Sequence, residues 1–322
     1  MDGCKQTANG KAFEYSLAKE YYEYLSSECG IRVSLKKDYA YQYARKYYNQ
    51  QPYVQRRRFD YCAALTIDSL VALEPGLTFD GEDDELSIAI SPDGAGQEGD
   101  VRDVVFSRER GWAVGISAKN NNDAVKHSRI GEKLDFGQSW FGVGCSERYW
   151  EEVAPVFDYL KQYKGCDWED VNDKEVRVYL PLLKAFRDEV MRICDEYEGV
   201  PKLLVKYLIG RYDFYKVIKN DTSKTVVIKA FNVDGRLNLT YRGAKARYRC
   251  PVLKAPERIV EFRLKDGSYN TLNLILDGGW EVSFRIHNAE KKVCPSLKFD
   301  IRLVGNPPVI FTQYLFQEDE ID

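Results

Sequence analysis

Histidine is nearly absent from this chain: His127 and His287 are the only two among 322 residues. That scarcity makes a His-based metal site or a Ser-His-Asp triad a poor fit, because each needs imidazoles working with other groups. The eight cysteines (Cys4, Cys29, Cys62, Cys145, Cys166, Cys194, Cys250 and Cys294) are scattered, and none forms a Cys-x-x-Cys pair. A zinc site, a disulfide framework or a Cys-dependent hydrolase is therefore disfavoured, and reduced thiols in a cytoplasm are expected. Long apolar runs are missing as well. No stretch approaches the roughly 18 residues that would suggest a membrane span, and Met-Asp-Gly-Cys-Lys-Gln-Thr at the start lacks a signal-peptide core. With 44% hydrophobic and 30% charged residues, the chain reads as a soluble globular protein of one large domain or two.

Charge is present but unevenly placed. The net value of −3 conceals two basic stretches. Arg32 to Arg58 holds eight Lys/Arg against the single Asp38, interleaved with Tyr39, Tyr41, Tyr43, Tyr47, Tyr48 and Tyr53. Lys216 to Val304 holds eighteen Lys/Arg against nine Asp/Glu. Acidic residues gather in Asp80 to Glu85, Glu147 to Glu198 and Glu318 to Asp322. Charge separated in this way suits a polyanionic partner on one surface, with nucleic acid the first candidate.

Periodicity predicts an amphipathic helix over 9–27, on Phe13, Leu17, Tyr21 and Leu25, with Asn9 as a candidate cap. Further helices are expected through the Tyr/Arg-rich stretch to a break near Pro52, over 62–73, from Asn122 through His127, and over 150–165 and 182–197. Short strands are expected at 86–90, 104–106 and 112–117. Beyond residue 200, alternating segments at 225–231, 237–241, 259–264, 271–276, 281–286 and 297–304 are separated by turns such as Asp234-Gly235 and Asp277-Gly278-Gly279. The expected organisation is an α/β part over 1–200 followed by a β-rich basic part over 201–322.

One segment carries chemistry. Asp103 opens the apolar run Val-Val-Phe, and Lys119 closes Ala-Val-Gly-Ile-Ser-Ala, with Ser117 and Lys119 on one face of that strand. A metal-binding carboxylate beside a cationic amine at two neighbouring strand ends is what Mg²⁺-assisted phosphodiester hydrolysis requires. An ordinary hairpin with a surface Asp and Lys would have the same local spacing. Pro92-Asp93 is set aside in favour of Asp103, because Gly-Ala-Gly-Gln and not a strand follows it.

Glu98-Gly-Asp-Val-Arg-Asp-Val, Ile116-Ser-Ala-Lys-Asn-Asn and Ala124-Val-Lys-His-Ser-Arg resemble the core motifs of HaeIII-type restriction endonucleases, which belong to the PD-(D/E)xK nuclease superfamily. Ser283-Phe-Arg-Ile-His-Asn-Ala and Pro295-Ser-Leu-Lys-Phe-Asp resemble a C-terminal motif shared by several restriction-enzyme families. The resemblance implies a mixed sheet flanked by helices, and a type II enzyme cleaving duplex DNA at GGCC with Mg²⁺. It also implies a methyltransferase acting on the same site as a functional partner. Asp103, Lys119 and Glu14 are then the catalytic candidates. Ser117 stands where an Asp or Glu would normally ligate the metal, and its hydroxyl is a weak ligand for a hard dication. Glu14, Asp100 and Glu98 are the candidate replacements, and Ala118 is carried with Asp103, Asp100 and Glu98 as a candidate metal ligand.

Reading GGCC in the major groove calls for Arg or Lys donors to guanine and acceptors for cytosine. The candidates are Lys126, His127, Arg129, Arg285, His287, Asn288 and Lys298; Arg56, Arg57 and Arg58 are expected on phosphates. Two other readings stay open, a DNA-binding protein with an inactive nuclease core and a structure-specific repair nuclease. A palindromic target would suit a symmetric dimer, though monomers nicking each strand in turn would serve as well.

Overall fold

The computed structural model describes residues 2–81, 83–93, 99–121 and 123–317. Two compact units emerge, each assembled from separated pieces of chain: Met1–Asp123, Gly210–Leu253 and Val309–Asp322 in the first, Ala124–Ile209 and Lys254–Pro308 in the second. The division thus differs from a single boundary near residue 200. Among the described residues no helix is long and apolar enough to cross a membrane, and Cys29, Cys62, Cys145, Cys166, Cys194, Cys250 and Cys294 are free thiols.

The first unit is built on a seven-stranded mixed sheet. Its strands are β1 (Val33–Leu35), β2 (Leu86–Ile90), β3 (Val104–Arg108), β4 (Ala113–Asn120), β6 (Phe214–Asn220), β7 (Thr225–Phe231) and β12 (Thr312–Phe316), in the order β1-β2-β3-β4-β6-β7-β12. The β1/β2 and β4/β6 pairs are parallel and the rest antiparallel. A parallel pair cannot be closed by a tight turn and needs a long crossover. For β4 and β6 that crossover is the whole of Ala124–Ile209, which is why strands that follow residue 200 belong to the same sheet as Lys119.

Helix α1 (Asp2–Glu23) packs on this sheet. Phe13, Leu17 and Tyr21, spaced by four, are fully buried. The Tyr21 ring meets Phe106 of β3 at 5.0 Å, and Phe13 meets Phe59 of α3 (Tyr53–Ala64) at 5.9 Å. Each such aromatic contributes about 1.5–3 kcal/mol by burial. Helix α2 (Tyr39–Asn49) starts at Asp38, whose side chain accepts from the Tyr41 N–H, and Pro52 precedes α3. The expected helix at 62–73 is divided between α3 and α4 (Ile67–Leu73).

The strand expected at 237–241 is a loop. Asn238 and Arg242 have left-handed backbones (φ 61° and 46°), which an extended strand does not tolerate. The loop is held by Glu74, whose Oε1 accepts from the Tyr215 hydroxyl (2.6 Å) and the Asn238 N–H (2.7 Å). Its Oε2 is buried without a hydrogen-bond partner among the described residues. Burial pushes the Glu74 carboxyl up to about 7, against the two hydrogen bonds that lower it. A carboxyl raised on folding contributes stability that is fully present below its ordinary value of 4.5 and lost as pH rises through 7. Glu74→Gln should therefore lose less stability than the parent between about pH 5 and pH 8. Urea midpoints at the two pH values check this, and parallel losses in both proteins would refute it.

The second unit holds five antiparallel strands in the order β5-β11-β10-β9-β8: β5 (Ala124–Gly131), β8 (Ile259–Leu264), β9 (Thr271–Leu276), β10 (Trp280–His287) and β11 (Ser296–Gly305). It also holds α5 (Phe136–Phe141), α6 (Glu147–Lys161), α7 (Leu180–Glu196) and α8 (Val200–Ile209). Phe186 of α7 packs on Phe284 at 5.5 Å and Phe299 at 4.9 Å, so the Phe284/Phe299 face of the sheet is its core side. The helix expected from Asn122 through His127 is corrected here. Asn122 lies outside the described residues, and 124–131 form strand β5, with Ser128 and Ile130 buried and Arg129 exposed between them. Pairing with β11 decides the conformation of a segment whose own residues favour neither state strongly.

Candidate active site

Asp103 sits at the N-terminal mouth of β3 with its backbone fixed on both sides. Its N–H donates to Ile116 O (2.7 Å), and its carbonyl accepts from the Ser91 N–H (2.9 Å). The carboxylate therefore points from a rigid stem. One oxygen, Oδ2, accepts from the Ala118 N–H (2.7 Å) and the Ser117 hydroxyl (3.3 Å) and lies 3.5 Å from Lys119 Nζ. Asp103 and Lys119 are each about a quarter exposed (25% and 28%), enough to be reached from solvent while staying paired.

Glu14 enters from α1. Its side chain is buried, with Oε2 accepting from Lys11 Nζ one turn earlier at 2.9 Å. Lys11 also reaches Asp93 Oδ1 at 2.5 Å, which places the discarded Pro92-Asp93 pair next to the cluster. Burial, then the charge of Asp103, pushes the Glu14 carboxyl up to about 8, while Lys11 and Lys119 pull it down. Although burial lowers it, Lys11 is carried above its ordinary value by Glu14 and Asp93.

Asp100 is engaged otherwise. Arg102 binds both its oxygens, through Nε at 2.8 Å and Nη2 at 2.7 Å, and stacks over Tyr212 at 4.1 Å. Gly115 of β4 makes room for that arginine, since a Cβ there would lie 2.4–2.7 Å from the Arg102 stem. Glu98 lies outside the described residues.

One lysine of β6 and one of β7 lie on the same face as Ser117 and were not singled out from the sequence. Ser117, Lys216 and Lys229 are in register across β4, β6 and β7, and so form a row on one face. Lys216 is buried and ion-paired to the Asp123 carboxylate, also donating to its backbone O at 3.0 Å; Lys229 reaches the same carboxylate at 3.2 Å. Burial draws Lys216 down to about 8 against the pull of Asp123, with Lys119 and Lys229 adding to the lowering. Lys219 is fully buried, paired with Asp221, and lies 5.3 Å from the Phe59 ring. Asn121 in turn donates to Asp221 (2.6 Å) and to the Lys219 carbonyl (2.8 Å). Asp123 and Asn121, which follow Lys119, are thus tied to β6 and β7 by ion pairs at Asp123 and hydrogen bonds at Asn121. The signal in sequence is faint: single lysines inside Phe-Tyr-Lys-Val-Ile and Val-Val-Ile-Lys-Ala-Phe, runs otherwise apolar enough to be core.

Among the described residues no group of three His, Cys, Asp or Glu side chains converges on one point. The chemistry of the pair still fits a hard divalent cation. Two carboxylates near enough to perturb each other, one of them buried, are relieved by a cation between them.

In the second unit, the five-stranded sheet brings together residues from distant parts of the sequence. Lys298 is in register with Arg129 on one side and His287 on the other, and Asp300 with His127 and Arg285. Arg285, His287 and Lys298 alternate with Phe284, Ile286 and Phe299 and so lie on the face opposite the core. For Lys126 and His127 only the strand position is described. Arg129 Nη1 donates to the Ser296 hydroxyl at 3.0 Å. The Asn288 side-chain amide is turned into its own loop, donating to Lys292 O at 2.9 Å, while the Asn288 backbone carbonyl accepts from the neighbouring His287 Nδ1 at 3.0 Å. On α3, Arg57 and Arg58 are exposed, Arg57 lying 5.9 Å from the Tyr53 ring; Arg56 is half-buried, 5.8 Å from the Tyr48 ring.

Comparison with known proteins decides what this arrangement is part of. The sequence profile of the HaeIII restriction endonuclease family matches residues 10–307. The chain belongs to that family. It is 37% identical over 310 residues to the type II restriction enzyme HaeIII of Haemophilus aegyptius, covering 95% of this chain and 96% of the relative. No solved structure matches. As a member of the HaeIII family the chain is a homologue of a site-specific deoxyribonuclease, and its mixed sheet flanked by helices accords with a restriction-endonuclease-like fold.

Proposed function

We propose that this chain is a Mg²⁺-dependent type II restriction endonuclease that hydrolyses both strands of duplex DNA at GGCC. The observation carrying this reading is the shared Asp103 oxygen, bound at once by β4 backbone and by Lys119, with Glu14 as electrostatic neighbour, in a chain aligned almost end to end with a type II enzyme. Asp103 and Glu14 would hold the metal, with Ser117 as a neutral neighbour and Asp100, Glu98 and Ala118 as the remaining candidates. A bound divalent cation supplies Lewis acidity and lowers the pKa of water. Lys119, 3.5 Å from Asp103 Oδ2, would orient the attacking water or stabilise charge on the phosphorane. Lys126, His127, Arg129, Arg285, His287 and Lys298 would face base edges, and Arg56, Arg57 and Arg58 phosphates, while the Asn288 side chain is spent on its own loop.

A methyltransferase protecting the same site is the expected functional partner, in the cytoplasm, and a palindromic target suits a homodimer. Digestion of a DNA of known sequence with Mg²⁺, followed by sequencing of the ends, is expected to place every end within GGCC. Ends at other sites would overturn the specificity, and nicks without a fixed sequence would favour a structure-specific nuclease. Ser117 is the one feature favouring a non-cutting DNA-binding protein, for which a plasmid would stay intact at all metal concentrations.

A further inference from the structure

The outer face of the five-stranded sheet carries an acid in the middle of its bases. Asp300 on β11 is directly opposite Arg285 on β10, and Lys298 and Arg302 flank it two residues away on the same face. Its side chain is only 9% exposed, whereas those of Arg285 and Arg302 are 53% and 56% exposed. Both arginines lie over it: Arg285 Nη2 is 3.3 Å and Arg302 Nη2 3.2 Å from the same oxygen, Oδ2.

An acid here is unfavourable for simple attraction to phosphate, which improves with every cation and worsens with every anion. Half-exposed ion pairs return about 0–1 kcal/mol of stability, too little to account for it. What Asp300 supplies is geometry. A guanidinium is a planar fork of five donors, and one nitrogen anchored on a carboxylate limits the swing of the fork while its other nitrogens stay free to donate outward. Two forks sharing one oxygen are held within one or two base steps of each other, at about 3.4 Å per step. Guanine O6 and N7 are the acceptors that a fixed planar fork matches, whereas a phosphate accepts a cation from many directions.

We infer that Asp300 is a positioning residue that sets Arg285 and Arg302 as a paired fork for two successive guanines in the major groove. The inference rests on the proposal that this face reads GGCC, which presents two successive guanines on each strand. It adds Arg302 to the specificity-determining residues and gives Asp300 a role exerted through the two arginines.

The test is equilibrium binding of the full-length protein, with Ca²⁺ replacing Mg²⁺ to prevent cutting. The probes are a GGCC duplex, duplexes with either guanine pair changed to A·T, and an unrelated duplex. Asp300→Asn is expected to reduce discrimination between GGCC and the substituted duplexes by about tenfold or more, the scale of one bidentate contact. Affinity for the unrelated duplex should hold or rise, because a negative charge has gone. Arg302→Ala should lose the same discrimination, and the double variant little more than either single one. A uniform gain, or unchanged discrimination, in Asp300→Asn would put the arginines on phosphates or leave them idle, and overturns the inference. Should Asp300→Asn lose all binding, the half-exposed Arg302→Lys decides, since it keeps the charge but not the fork: retained discrimination overturns the inference, and lost discrimination with normal unrelated binding supports it. Wild-type protein that prefers no sequence would instead refute the GGCC proposal beneath it.

Discussion

Asp103→Asn protein is expected to bind a GGCC duplex in Ca²⁺ and to leave it uncut in Mg²⁺. The substitution preserves shape: an amide oxygen still accepts from the Ala118 N–H, which Asp103 Oδ2 does at 2.7 Å, so β3 and β4 keep their pairing. What goes is the charge that would hold the metal and partner Lys119. Metal-ion catalysis of phosphoryl transfer contributes several kcal/mol to the transition state. At about 1.36 kcal/mol per tenfold, that is a fall of roughly 10³-fold or more in the single-turnover rate. Lys119→Ala is expected to fall by a similar factor for a different reason, loss of the cation while Asp103 keeps its backbone donor. Binding isotherms beside single-turnover cleavage separate the two effects. Cutting at the wild-type rate by Asp103→Asn would remove the assignment of this carboxylate.

The Asp103–Lys119 centre was legible because it is local. The two strands carrying it are consecutive and antiparallel, so a one-dimensional pattern of apolar runs with a charge at each end maps directly onto neighbours in space. The residues that complete the cluster are not local. Lys216 reaches it through a parallel pairing of β6 with β4 across a long crossover, and a lysine in an apolar run carries no sign of which strand will lie beside it. The same limit explains β5. Ala-Val-Lys-His-Ser-Arg has no strong preference, and its conformation is decided by β11, more than a hundred residues later in the chain. Where the motif resemblance was used, it named Arg285 and Lys298 but passed over Asp300 within the same Pro-Ser-Leu-Lys-Phe-Asp run. A carboxylate among basic side chains reads as out of place until the two arginines above it are seen. The β-rich character of the chain beyond residue 200 was evident from turns and alternation. Its distribution over two sheets was not, because alternation specifies faces and not partners.

Glu14 supplies the second large expected effect, in metal binding and its pH dependence. Burial, then the neighbouring Asp103 charge, holds its carboxyl at about 8, so in the metal-free protein it is mostly protonated at neutral pH. A divalent cation bound by Asp103 and Glu14 must displace that proton. Apparent Mg²⁺ affinity should therefore fall by up to about tenfold for each pH unit below 8 and level off above it, with about one proton released per ion bound. Titration calorimetry in two buffers of different ionisation enthalpy counts the proton directly. Glu14→Gln should bind Mg²⁺ more weakly at every pH, release no proton, and lose cleavage by about 10²-fold or more at limiting metal, with partial recovery at high Mg²⁺. Stability follows the same group with the opposite sign. A carboxyl raised on folding contributes stability that is fully present below 4.5 and lost as pH rises through about 8, so the metal-free protein should soften over that window. Mg²⁺ should reverse the softening, because a ligand that binds only the folded state raises its stability. Equal Mg²⁺ affinities at pH 6.5 and 8.5 in the wild-type protein would exclude Glu14 from the metal shell and return the vacancy left by Ser117 to Asp100 or Glu98.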